Sequence, residues 1–243
     1  MATTRDYIQA NRPIFGCVPT LGQHFACELC LGPVTGYARC FACNQLFVRN
    51  HVHQALWGRV VPMTSALNPS PWYTMLSTYK RGHVEHGPVL VSLAYEYLSV
   101  NAQAIAGLLG GPATMSTIVP SKRGFTFEQQ PFRKTLALVD TIRNSLRHTL
   151  NFRDGATVDR WSYAPDAFAP GPDPVQGARV LLLEDSWVTG ATAMSAAGAL
   201  VGFGAVSVAV IPLARVVDQG FWEKDHPYRT AMVEPYRLNA WPR

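Results

Sequence analysis

The 243-residue sequence predicts an α/β fold: a mainly parallel sheet flanked by helices, preceded by a small four-cysteine module. Three observations predict it. The stretch from Arg179 to Leu213 reads as apolar strand, small-residue helix and apolar strand, the β-α-β order that builds a parallel sheet. A further strand, loop and helix run from Thr114 to Leu146. Two C-x2-C pairs stand close together near the N-terminus.

Composition sets the outer limits. With 48% hydrophobic and 15% charged residues, the chain can build the core of one large domain, or of one domain with a small appendage. Lysine and arginine exceed the acidic residues by five, with no run of like charge. That balance suits phosphate ligands or nucleic acid without selecting either. Met1 to Ala10 carry charges and lack the apolar centre of a secretory leader, so a cytoplasmic protein is expected. The uncharged stretch Ala193 to Ala214 is long enough for a membrane span. Gly202 and Gly204 interrupt it, and the alternating VSVAVIPL that follows reads as a buried strand, so no membrane span is expected.

In chain order, residues 1–26 show no clear periodicity, and Pro13, Gly16, Pro19 and Gly22 break regular structure, so they read as a lead-in. A zinc-ribbon-like module is expected over 27–50 and the main α/β domain over 57–243. In that domain Val89, Leu93, Tyr97, Ile105, Leu108 and Leu109 recur near helical spacing and stop at Gly110-Gly111, which predicts one core-facing helix. TMSTIVP predicts a strand, and Leu136, Val139, Ile142 and Leu146 predict a helix over about 132–146. The Pro- and Gly-rich stretch 151–177 reads as a hairpin or an excursion over the active face, and the tail beyond Gly220 as a surface extension.

Cys27, Cys30, Cys40 and Cys43 form the pattern C-x2-C-x9-C-x2-C. Four thiolates in two knuckles make a closed tetrahedral shell, which predicts structural rather than catalytic zinc. Gly32 is expected to supply a positive φ in the first knuckle. Cys17, His24, His51 and His53 are nearby alternative donors, read as incidental because the four-cysteine set is already complete.

The segment RVLLLEDSWVTGAT carries the chemistry. A buried strand ends in Glu184 and Asp185, and the chain then turns through Ser186, Trp187, Val188, Thr189, Gly190, Ala191 and Thr192 into a helix. Unpaired amides at a helix start, with Thr189 and Thr192 hydroxyls beside them, form an anion site. Carboxylates would repel the same anion, so they are expected to serve ribose hydroxyls or magnesium. The plainer alternative is a strand-to-helix turn capped by Thr189 or Ser186. A second loop, Ser121, Lys122, Arg123 and Gly124, supplies cations suited to pyrophosphate oxygens.

This strand, acidic pair and Thr-Gly-Ala-Thr turn resembles the phosphoribosyl pyrophosphate motif of type I phosphoribosyltransferases. The resemblance implies that fold, with Glu184 and Asp185 holding the ribose 2′ and 3′ hydroxyls and Thr189-Gly190-Ala191-Thr192 wrapping the 5′-phosphate, Ser186 and Val188 counting among the binding residues. It also implies magnesium with the ligand. Trp187 and Val188 depart from the aliphatic and the hydroxyl residue usual there. The order of parts, with four cysteines, Tyr79-Lys80, Val119-Pro120, Arg123-Gly124-Phe125 and the acidic motif, is similar to the ComF family of competence-associated, amidophosphoribosyltransferase-like proteins. Thr126 and Phe127 stand where that family usually has asparagine and glutamine. Lys80 becomes a candidate ligand contact by this resemblance.

Two functions follow as expectations. One is a magnesium-dependent phosphoribosyltransferase-like protein, with transfer to a nitrogenous base. The other is a non-catalytic protein that senses a phosphoribosyl ligand, or acts on DNA or with competence-machinery proteins. No N-terminal cysteine nucleophile of the glutamine amidotransferase kind is present, so ammonia production from glutamine is not expected.

Overall fold

The computed structural model describes residues 2–121, 124–219 and 225–242. Helices α1 (Thr4–Asn11) and α2 (Phe41–Cys43) precede strand β1 (Thr64–Asn68); α3 (Pro71–Thr78), α4 (Gly87–Val100) and α5 (Ala102–Leu109) lead to β2 (Met115–Ile118). Next come α6 (Pro131–Leu136), α7 (Asp140–Ser145) and the short strands β3 (Leu150–Phe152) and β4 (Phe168–Pro170). Strand β5 (Arg179–Trp187), α8 (Ala191–Gly202), β6 (Ser207–Asp218) and α9 (Pro227–Met232) complete the order.

The main sheet runs β1-β6-β5-β2, and every pairing in it is parallel. All four strands therefore bring their carboxyl ends to one edge, where ligands of open α/β sheets bind. The two central strands are apolar on both faces. Leu181, Leu183, Ile211 and Leu213 pack with Leu90, Leu93 and Ile105 of α4 and α5, while Val180, Leu182, Val208 and Val210 pack with α8. Side chains alternate along a strand, and a parallel sheet has both faces covered. Cys27, Cys30, Cys43, Leu46 and Phe47 belong to the α8-side cluster. The expected fold class is thus observed: a mainly parallel sheet flanked by helices, with a four-cysteine cluster near the N-terminus.

Several local expectations are corrected. The lead-in contains α1, started by a capping box between Thr3 and Asp6, and its Ile8 joins the core together with Phe15. The Thr-x-x-Asp spacing was the legible signal. The tail is not a surface extension: Tyr228, Met232 and Tyr236 are buried, and Phe15 meets the Tyr236 ring at 5.4 Å. The expected helix through Leu109 divides at Asn101, whose side-chain amide donates to the carbonyls of Tyr97 at 2.9 Å and Leu238 at 2.8 Å. The helix expected over 132–146 divides where Val139 turns extended (φ −114°, ψ 117°). Two other expectations hold: the stretch 151–177 carries part of a hairpin, with β3 and β4 antiparallel and Phe152 opposite Phe168. Ala193 to Ala214 is helix, turn and strand, and among the described residues no helix is long and apolar enough to cross a membrane.

Burial of the tail has a measurable consequence. The Tyr228 hydroxyl donates to the Leu31 carbonyl at 2.9 Å and lies 3.1 Å from Ser65 Oγ. Tyr228→Ala should cost about 3–5 kcal/mol in urea unfolding, the range for deleting a buried aromatic. A surface tail would lose less than about 0.5 kcal/mol.

Candidate functional site

At the carboxyl edge of the sheet, β5 ends beside the loop that follows β2, and a cavity of about 260 Å³ opens between them. Its lining includes Lys80, Ser121, Glu184, Asp185 and Thr192, with Phe125 and Phe132 as apolar wall. The acidic pair and Ser186 lie within β5 rather than in the loop after it, because the strand continues to Trp187. Ser121 is held by its amide, which donates to Gln130 Oε1 at 3.0 Å. Gly124 follows on the same loop, while Lys122 and Arg123 lie outside the described residues.

Asp185 is buried and its charge is compensated locally. Lys80 Nζ stands 2.5 Å from Oδ2, the Tyr79 hydroxyl donates to that same oxygen, and the Ser186 hydroxyl donates to Oδ1 at 3.0 Å. Lys80 and Tyr79 come from the turn after α3, which seats Tyr79 in the core. Burial, and then the Asp185 charge, push the Tyr79 phenol well above its ordinary pKa, so Tyr79 remains a neutral donor at physiological pH. Lys80 was legible only through a family resemblance. Tyr79 as the second donor had no separate signal in the sequence.

Beyond Trp187 the chain turns into α8. The cap is Gly190 (φ +84°), which uses no side-chain cap bond. Thr189 Oγ1 receives only a long 3.4 Å contact from the Ala191 amide, and Ser186 is committed to Asp185. The plainer alternative, a turn formed by a Thr189 or Ser186 side-chain cap, is therefore not what the structure has. Gly190 also makes room for Trp187: a Cβ at position 190 would lie 2.0 Å from the indole Cζ2. Thr192 faces the 260 Å³ cavity, whereas Val188 and Thr189 line a second groove of about 840 Å³ on the other side of the turn. That groove is walled by the cysteine segment (Tyr37, Arg39, Phe41) and by Arg160 and Trp161 of the excursion.

The sulfur atoms of Cys27, Cys30, Cys40 and Cys43 all lie within 4.8 Å of one another, and those of Cys30 and Cys40 are 3.7 Å apart. A tetrahedral zinc with bonds of about 2.3 Å requires sulfur pairs about 3.8 Å apart. The four-cysteine group could therefore hold a metal such as zinc, and Cys17, His24, His51 and His53 take no part in it. Gly32 does not supply the expected positive φ. Leu31 does (φ 59°), and Gly32 instead leaves room for Arg215: a Cβ there would lie 2.5 Å from Arg215 Nε.

No protein-family model matches the chain, and no curated protein matches it. Similarity is found among solved structures. The alanine mutant from an analysis of an invariant aspartic acid in HPRTs is 14% identical, with 51% of this chain and 76% of that chain covered at a TM-score of 0.30. A Trypanosoma cruzi hypoxanthine phosphoribosyltransferase, from a study of its C-terminal region, is 15% identical, covering 50% and 72% at a TM-score of 0.29. A lysine-to-arginine mutant of the Trypanosoma cruzi enzyme, in a ternary substrates complex, is 14% identical and covers 54% and 83% at a TM-score of 0.29.

Gly190→Ala tests the turn. Left-handed backbone and the collision with Trp187 should together cost about 1–3 kcal/mol. The loss is expected in thermal unfolding, with a change in tryptophan fluorescence.

Proposed function

We propose that this chain is a type I phosphoribosyltransferase-like protein that binds phosphoribosyl pyrophosphate with magnesium at the 260 Å³ cavity. The observation that carries the reading is the convergence of Lys80, Ser121, Glu184, Asp185 and Thr192, from three separate stretches of chain, on one edge of a parallel sheet. In this reading Glu184 and Asp185 accept from the ribose hydroxyls, and a hydroxyl takes the place of Lys80 or Tyr79 on Asp185. Lys80 is then released toward a phosphate oxygen. The turn of Ser186, Val188, Thr189, Gly190, Ala191 and Thr192 receives the 5′-phosphate through backbone amides, with the Thr192 hydroxyl as the side-chain donor that faces the cavity. The loop of Ser121, Lys122, Arg123 and Gly124 receives pyrophosphate.

Two adjacent carboxylates at the cavity are hard oxygen donors of the kind magnesium takes alongside phosphate. Bound there with the ligand, magnesium would supply charge neutralisation on the pyrophosphate oxygens. In transfer, a nitrogen of the acceptor base bonds to C1 of the ribose as the C1–O bond to pyrophosphate breaks. The bonding electrons leave with pyrophosphate, and the acceptor's proton passes to solvent. The chain's residues contribute position and electrostatic stabilisation rather than a nucleophile.

A second reading, contact with nucleic acid in the manner of the ComF resemblance, is supported by the groove of about 840 Å³. Exposed Tyr37, Phe41 and Trp161 stand with Arg39 and Arg160, the Phe41 and Trp161 rings 5.2 Å apart and Arg160 5.1 Å over Trp161. Aromatic faces interleaved with arginine suit single strands. Salt-dependent binding of a fluorescent oligonucleotide that is lost in Trp161→Ala would favour it.

Calorimetry with phosphoribosyl pyrophosphate and magnesium tests the main reading. One charged hydrogen bond is worth about 1.5–3 kcal/mol, so Thr192→Ala, at the threonine of the turn that faces the cavity, should weaken binding roughly 10- to 150-fold while the protein stays folded. Asp185→Asn should weaken phosphoribosyl pyrophosphate much more than inorganic phosphate. Unchanged affinity in both variants defeats the reading. Binding without pyrophosphate release in the presence of candidate bases makes the protein a sensor. For the cysteine group we propose structural zinc: about one zinc per chain by elemental analysis, lost in Cys40→Ser.

A further inference from the structure

Arg215 lies in β6 directly opposite Trp187 of β5, and it is buried, with 7% of its surface exposed. Its guanidinium faces two ways. On one side Nη1 donates to the carbonyls of Val188 at 2.9 Å, Trp187 at 3.1 Å and its own neighbour Val216. On the other side Nε and Nη2 press on the first cysteine knuckle, where a Cβ at Gly32 would lie 2.5 and 2.8 Å from them.

The two sides are linked by peptide geometry. In a trans peptide the carbonyl of one residue and the amide N–H of the next point in opposite directions. Holding the Trp187 and Val188 carbonyls toward Arg215 therefore aims the Val188 and Thr189 N–H groups away from Arg215. A zinc bound by four thiolates carries a net charge of about −2, which is the counter-charge a buried guanidinium requires.

We propose that Arg215 is the positioning residue that couples the four-cysteine metal centre to the anion-binding turn, so that metal and phosphate ligand strengthen each other's binding. This rests on the anion site proposed above and on zinc at the cysteines. Coupling of this kind is reciprocal: the factor by which zinc improves phosphate affinity equals the factor by which phosphate improves zinc affinity.

The test uses the full chain with its zinc, and inorganic phosphate and phosphoribosyl pyrophosphate as probes. In the wild type, saturating phosphoribosyl pyrophosphate should raise the apparent zinc affinity, measured by competition with a chromophoric chelator, about five- to tenfold. Arg215→Met should keep one zinc per chain, remove that linkage, weaken both probes by a similar factor, and speed amide exchange at residues 187–191. Arg215→Lys should restore little, since an ammonium lacks the planar fork that spans knuckle and carbonyls. Equal zinc affinity with and without a ligand that does bind overturns the coupling, and this wild-type measurement stands even if Arg215→Met does not fold. If neither probe binds the wild type, the anion-site reading fails on its own. The exchange experiment then decides the role of Arg215, and unchanged exchange at 187–191 in Arg215→Met overturns it.

Discussion

Parallel hydrogen bonding on both sides of β5 is the constraint from which the rest of the site follows. The strand is paired to β6 from Arg179 to Trp187 and to β2 from Val180 to Leu183, so its backbone has no freedom to move relative to either neighbour. Because β2 ends earlier, the last residues of β5 run on past it, and the cavity opens over that stretch, with Glu184 and Asp185 in its lining. A carboxylate there is tolerable only with donors supplied from elsewhere. Tyr79 and Lys80 meet that need, from a turn anchored by the burial of Tyr79 in the core.

The sheet also explains why the cysteine segment is not an independent appendage in energetic terms. Its apolar residues, Leu29, Val34, Leu46 and Phe47, bury themselves against the face that α8 covers. Tyr228, from the far end of the chain, hydrogen-bonds the knuckle at Leu31 and also contacts Ser65 of β1. A module too short to form its own core has instead joined an existing one, and a buried arginine marks the junction. Gly32 records that junction in the sequence: it is small because a guanidinium lies against it, not because its backbone is left-handed.

Much of this architecture was legible. The β5-α8-β6 unit announces itself through apolar runs and a strand-to-helix turn, and the acidic pair, the Thr-Gly-Ala-Thr turn and the four cysteines were each recognisable by residue type and spacing. What misled was context. Asn101 reads as an ordinary helical residue until Leu238 arrives to take its amide, and the tail reads as polar surface until Tyr228 and Tyr236 are seen in the interior. Both depend on contacts between residues more than a hundred positions apart, which no local periodicity encodes.

The sequence by itself determined the β5-α8-β6 unit, the parallel sheet and the set of candidate donors, because hydrophobic period, glycine placement and ligand spacing are local properties. It could not decide which donors meet. That Lys80 and Tyr79 share one oxygen of Asp185, that Trp161 of the excursion closes on Phe41, and that Arg215 stands between the cysteines and the turn were decided only in three dimensions. The physical reason is that charge compensation and close packing act through space, on side chains that the fold brings together irrespective of their order along the chain.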